Sequence, residues 1–192
     1  MLDPHLLPDR LDADGFVVRS WMPGDGPGLL AALLPSHAHL KRWMPWSDPD
    51  PDPDEVAQRV RTFRGDWLLS TNFVAAVWDP TETMVLGGTG FHLRGRPLER
   101  AEAEIGMWIA APAANRGLGT AVLLEMLSWG FDTWGFERLE WHCDAENHAS
   151  RRVAEKAGMR LEGTRLGTWR ERGRCTTLAF AITPTAWRRR AG

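Results

Sequence analysis

Apolar side chains at Leu123, Leu124, Leu127, Phe131 and Trp134 recur at helical spacing. The segment 119–134 is therefore expected to be a helix that buries one face against a sheet. Just upstream the period changes to two. Residues 102–109 put Glu102, Glu104, Gly106 and Trp108 on one side of a strand and Ile105, Met107 and Ile109 on the other. Residues 138–143 repeat a strand pattern after the helix. The resulting strand-helix-strand unit should cross over right-handed and leave its two strands parallel. Between the first strand and the helix lies a turn carrying Gly117 and Gly119.

The flanking segments follow from the same patterns. Residues 15–21 read as a first strand, closed by Pro23, Gly24, Gly26 and Gly28. Residues 29–34 look helical, and residues 40–46 place Trp43, Met44 and Trp46 in a turn. That apolar turn is either a lid on the core or the wall of an acceptor site. In the proline-rich acidic run 48–55, Asp52 is placed to cap a helix with Pro53 at its first position and Glu55 in a capping-box arrangement. Its remaining acids are solvated or serve to steer cationic acceptors. That helix should continue to about residue 70. Residues 72–78 and 84–93 form an antiparallel pair joined through residues 79–82, with Gly87, Gly88 and Gly90 marking a bulge or a close backbone approach. Asn147 caps a short helix stopped by Gly158. Residues 159–169 and 175–182 make a hairpin turning near 171–173, and a last short helix runs through Trp187.

Composition sets limits on this picture. The 192 residues, 43% hydrophobic and 25% charged, suit a single domain spanning 1–192 with a substantial core. No apolar run reaches the ~18 residues of a membrane span, and the N-terminus lacks the pattern of a signal peptide, so a cytoplasmic protein is expected. Net charge of −2 argues against direct nucleic-acid binding. Arg188, Arg189 and Arg190 read as a solvated helix end. Cys143 and Cys175 form neither a disulfide framework nor a metal-ligand cluster, so no metal is expected and both are read as reduced.

The glycine turn is the candidate for chemistry. A helix start has unpaired N–H groups and partial positive charge, and glycine lets a phosphate approach. A P-loop needs a Gly-Lys pair, but the two lysines, Lys41 and Lys156, lie elsewhere. A dinucleotide fingerprint would need glycine where Val122 stands, although Glu140 lies at a suitable distance downstream. The run Arg116-Gly117-Leu118-Gly119-Thr120-Ala121 satisfies a third grammar, Arg/Gln-x-x-Gly-x-Gly/Ala. Glu104 projects from a central strand one step before the turn, as a functional carboxylate or a salt-bridged strand residue. Asn147 and Ser150, three apart, face one way at a helix entrance, and capping alone would also explain Asn147.

The run 116–121 resembles the acetyl-CoA loop of the GNAT superfamily of N-acetyltransferases, and the order of elements is similar to that fold. Trp43-Met-Pro-Trp46, Glu104-Ile-Gly-Met-Trp-Ile109 and Asn147-x-x-Ser150-x-x-Val153-x-Glu155-Lys156-x-Gly158-Met159-x-x-Glu162-Gly163 extend the likeness to the RimJ/RimL-type branch. The likeness spans about residues 16–187. It implies an α/β (α+β) fold with a mixed sheet of six to seven strands and acetyl-CoA in a splay between strands four and five. Pantetheine would pair with backbone at Trp108, Ile109 and Ala110, and the pyrophosphate would meet N–H groups of Gly117, Leu118, Gly119, Thr120 and Ala121, beside Arg116. Glu104 is implied as base, with a pKa raised toward neutrality by desolvation, Ser150 as donor to the CoA sulfur, Asn147 as a pantetheine contact, and Trp43 and Trp46 as acceptor contacts. The acceptor would be a protein N-terminal amine, ribosomal in that branch, or a small-molecule amine. Pairing of two copies stays open. The chain departs from the family in the last strand, where Thr176 and Phe180 stand in place of aspartate and tyrosine, and it has no tyrosine at all. A ping-pong route through Cys143 and a sensor that binds acetyl-CoA without turnover are the rival readings.

Overall fold

The computed structural model describes residues 7–169 and 173–190. Its sheet has eight strands among the described residues: β1 (Arg10–Ala13), β2 (Phe16–Ser20), β3 (Phe73–Trp78), β4 (Val85–His92), β5 (Glu102–Ile109), β6 (Arg138–Asp144), β7 (Arg160–Trp169) and β8 (Gly173–Ile182). They lie in the order β1-β2-β3-β4-β5-β6-β8-β7. Only the β5–β6 pair is parallel, as the crossover requires. All other neighbours are antiparallel.

The sheet is one strand larger than the six to seven expected. The addition, β1, is a half-exposed edge in which Leu11 and Ala13 alternate with Arg10 and Asp12, a pattern too short at four residues to mark a strand. The strands expected as fourth and fifth are thereby β5 and β6. Of the hairpin turn expected near 171–173, residues 171 and 172 lie outside the described residues.

Two helical layers cover the sheet unequally. On one face lie α1 (Gly26–Leu33), α2 (His37–Leu40) and α3 (Pro53–Leu68). Here Trp21, Leu29, Leu33, Val56 and Val60 pack on Val17, Ala76 and Trp78. Asp52 caps α3 by accepting the Asp54 N–H at 2.8 Å. These helices pack on β2, β3 and β4 and leave the same face open over β5, β6 and β8. The other face carries α4 (Leu118–Ser128), with α5 (His148–Lys156) against α4 and β6. A last helix, α6 (Pro184–Arg190), closes the chain.

The long helix expected to reach residue 134 ends sooner. After Ser128 the backbone widens into a π turn over Trp129–Thr133, closed by the Trp134 N–H donating to the Trp129 carbonyl at 3.0 Å. This turn sets Trp134 in an aromatic cluster, 4.6 Å from Phe73 and 5.0 Å from Phe91 between ring centres. Leu123, Leu127, Phe131 and Trp134 are buried as the helical spacing implied, and Leu124 is half-buried.

Candidate active site

β5 and β6 part company within their own length. Their register runs from Glu102 opposite Arg138 to Glu104 opposite Glu140 and stops there. β5 continues to Ile109 and β6 to Asp144, so the two strands open like a V whose vertex is the Glu104–Glu140 pair.

The backbone that faces this opening follows from the ladder on the other side. The Ala110 N–H donates to the Leu86 carbonyl at 2.8 Å. In an antiparallel pair the bonded positions alternate, so Trp108 and Gly106 also turn their N–H and C=O groups toward β4. Met107 and Ile109 then turn theirs into the opening. The pairing groups expected at Trp108 and Ala110 are thus spent on β4, and of the residues expected only Ile109 faces the V.

At the mouth of the V stands the glycine turn. Gly117 is left-handed (φ +85°) and begins α4 without a side-chain cap. Its carbonyl accepts the N–H groups of Thr120 (3.0 Å) and Ala121 (3.1 Å), so these two expected phosphate donors are engaged by the helix itself. A Cβ on Gly119 would lie 3.7 Å from Ile109, 3.8 Å from Val153 and 3.9 Å from Met107. Gly119 therefore faces the gap between β5 and α5. Arg116 is exposed beside it. An open-edged V, a backbone with unspent groups and a glycine helix start fit an extended pantetheine with a pyrophosphate at its end.

On the open face, the vertex is charged. Glu104 is buried and accepts two hydrogen bonds from Arg94, Nη2 to Oε1 at 2.7 Å and Nε to Oε2 at 2.9 Å. His142 Nδ1 lies 3.1 Å from Oε2. Burial alone pushes the Glu104 carboxyl up, but hydrogen bonds and charge from His142 and Arg94 outweigh it and hold the group down at about 2. The raised pKa expected of Glu104 as a base is therefore reversed. Glu140 binds Arg96 (3.2 Å) and Arg138 (3.1 Å). An open cleft of about 660 Å³ runs over these groups, with Glu162 and Arg165 on its far side.

His142 was not among the residues expected from the sequence. It alternates with buried Trp141 and Cys143, and that period-two signal places it on the Glu104 side of the sheet. His92 is its counterpart on β4. Its Nδ1 is 2.9 Å from Asn72 Oδ1, and its ring covers Gly106, where a Cβ would collide with it. Burial and then the Arg94 charge push His92 down to about 4.

The remaining expected residues divide between the two faces. Ser150 lies on the helical side, where its hydroxyl accepts the Trp141 indole N–H at 3.0 Å. Asn147 Oδ1 accepts the Ser150 N–H at 3.1 Å and so caps α5. Cys143 is buried, which pushes its thiol up against the opposing effect of the Ser150 hydroxyl, as expected of inert packing. Trp46 reaches Trp108, ring centres 6.0 Å apart, and Trp43 stacks instead under Arg42 at 4.6 Å. Sequence reasoning also missed buried Ser36, which donates to Ala32 O (2.6 Å), accepts the Ala111 N–H (2.9 Å) and so ties the α1–α2 region to the end of β5.

A mixed sheet that opens along its one parallel pair, with a glycine helix start at the mouth, defines the architecture of a CoA-dependent acyltransferase. A family model described as an acetyltransferase (GNAT) domain matches residues 16–160, and the chain belongs to that family. Among solved structures it resembles RimL, the ribosomal L7/L12 alpha-N-protein acetyltransferase in complex with coenzyme A, at 16% identity and a TM-score of 0.79, covering 94% of this chain and 98% of that one. The microcin C7 self-immunity acetyltransferase MccE, in complex with acetyl-CoA and AMP, matches at 16% identity and 0.80, over 94% and 99%. The ribosomal-protein-S5-alanine acetyltransferase from Vibrio fischeri matches at 15% and 0.78, over 93% and 98%. At these identities the likeness is one of fold. No curated protein matches the chain.

Proposed function

We propose that this acetyltransferase moves acetyl from acetyl-CoA to a primary amine, a protein N-terminal α-amine or a small-molecule amine, by direct attack in a ternary complex. The observation that carries the reading is the V beyond Glu104 and Glu140, faced by the backbone groups of Met107 and Ile109 and open on one side to the charged cleft. Pantetheine pairs with those backbone groups. The pyrophosphate sits at residues 116–119, where Gly117 and Gly119 keep side chains away. The acceptor enters over Trp46 and Trp108.

Each wall then has its own task. Amines of this kind have pKa values of roughly 8.0 to 10.4 and arrive mostly as ammonium. Ionised Glu104 draws that cation to the vertex. Ser150, on the helical side, donates a hydrogen bond to the departing sulfur, where charge develops. Asn147 serves by fixing the start of α5 and with it Ser150.

The test is to incubate the protein with acetyl-CoA and a panel of amines: peptides with free N-termini, Nα-blocked lysine and small amines. Free CoA and acetylated acceptor should appear in equal amounts. Acetyl-CoA that binds but releases no CoA above the blank would instead identify a sensor.

A further inference from the structure

We propose that His142 is the catalytic base and that Glu104 is the positioning residue that holds its imidazole; this rests on the acetyl-transfer reading above and names the group that takes the proton. The placement comes first. His142 stands two residues past the last β5–β6 pair, on the open face, beside the vertex where the V begins. It is one-fifth exposed and lines the cleft.

The hydrogen bonding then assigns its nitrogens. Glu104 is ionised and only accepts, so the 3.1 Å contact requires the proton on Nδ1. In the neutral imidazole Nε2 then carries the lone pair, 3.9 Å from the Glu140 carboxylate and too far to bond it. The carboxylate also stabilises the imidazolium that forms when Nε2 takes a proton. This is the logic of a carboxylate-oriented histidine base.

The competing groups on this face are worse suited. Glu104 has both oxygens occupied by Arg94 and His142. Glu140 is engaged by Arg96 and Arg138, and Glu162 by Arg138 at 2.6 Å. His92 is held by Asn72 and packed over Gly106. The charged groups that line the cleft with His142 are Glu104 from β5, Glu140 from β6, Arg94 and Arg96 from the loop after β4, and Glu162 and Arg165 from β7, and His92 on β4 lies opposite Glu104.

The step balances without any further reactant. The acceptor ammonium gives one proton to Nε2, and its lone pair forms the C–N bond with the thioester carbonyl. The C–S bond breaks and its electron pair leaves on sulfur. Of the two protons the nitrogen sheds, one ends on the CoA thiol and the other passes from Nε2 to solvent.

The experiment compares wild type, His142→Gln and Glu104→Gln in kcat and kcat/KM against pH, with acetyl-CoA affinity by calorimetry. It adds 15N NMR of the wild-type imidazoles. The expected NMR result is His142 protonated on Nδ1 with Nε2 bare. His142→Gln should keep cofactor affinity and lose roughly 10²–10⁴ in turnover at neutral pH, less at high pH where the acceptor is already neutral. Glu104→Gln, given the same 15N measurement, should lose the Nδ1 preference of His142 and should lower kcat with little change in acetyl-CoA affinity. Wild type that acetylates amines while His142→Gln matches its rate and profile overturns the proposal and leaves the function standing. An Nε2-protonated imidazole does the same without relying on a variant. Wild type that acetylates no amine overturns both.

Discussion

Glu104 sets burial, which favours the neutral acid, against two cationic or N–H partners, which favour the carboxylate. The partners win. The group's pKa falls from 4.5 to about 2 on folding, so its stabilisation is complete above pH 4.5 and is lost as pH falls toward 2. A shift of that size corresponds to about 3 kcal/mol. Glu104→Gln should therefore be destabilised at pH 7 by up to that amount, and its deficit relative to wild type should shrink when denaturant unfolding is repeated at pH 3. A deficit that stays constant with pH would mean the loss is one of packing. Period two in residues 102–109 was enough to single out Glu104. Its electrostatics were not legible, because Arg94 and His142 come from other elements and a single strand pattern names no cross-strand partner. Gly119 was legible in kind, as a helix-start glycine, but the structure shows what a side chain would meet. Ala fits at ordinary contact distance from Ile109 and Val153, whereas Val adds two branches into the gap between β5 and α5. Gly119→Ala should bind acetyl-CoA nearly as wild type does and Gly119→Val roughly tenfold or more weaker, measured calorimetrically on protein whose circular dichroism is unchanged. Equal affinities would remove Gly119 from the cofactor bed.

β4 and β5 show how a glycine run serves a neighbouring strand. A Cβ on Gly88 would run into the Trp108 indole nitrogen, and one on Gly87 into the Trp108 carbonyl. The close approach expected of Gly87, Gly88 and Gly90 is thus real, and the register also shifts opposite Val77 and Trp78. Because Trp108 in turn meets Trp46, Gly88→Ala should displace the acceptor wall while leaving the Met107 and Ile109 backbone in place. It should raise the acceptor KM with little change in acetyl-CoA affinity, at a stability cost of about 1–3 kcal/mol. A rise in both constants would show that the wall and the cofactor bed are not separate. Elements with strong periodicity, such as α4, β5 and β6, were visible from the chain alone. β1 was not, since its alternation of Arg10, Leu11, Asp12 and Ala13 spans only four residues, and the π turn was not, since Phe131 and Trp134 satisfy helical spacing without continuing the α-helix.

On one face α4 and α5 pack on β5 and β6, while on the other α1 and α3 pack on β2, β3 and β4 and stop short of β5, β6 and β8, which leaves the open cleft. Element order, and with it the family, was readable from spacing and turn residues. The V was not, because strand pairing that stops at Glu104 is a property of two segments more than thirty residues apart. If the V and the helix start together hold acetyl-CoA, ligand at a hundred times its dissociation constant should stabilise the protein by on the order of 2.7 kcal/mol. NAD at the same concentration should not raise the melting temperature. The reverse result would restore a dinucleotide site, for which a mostly antiparallel sheet offers no switch point. The assignment of the V as the cofactor bed is tested by amide hydrogen exchange, resolved residue by residue, with and without acetyl-CoA. The Met107 and Ile109 N–H groups, which face the opening, should become protected on binding, while those of Trp108 and Ala110, already bonded to β4, should not change. Binding that leaves Met107 and Ile109 exchanging as before would contradict the account.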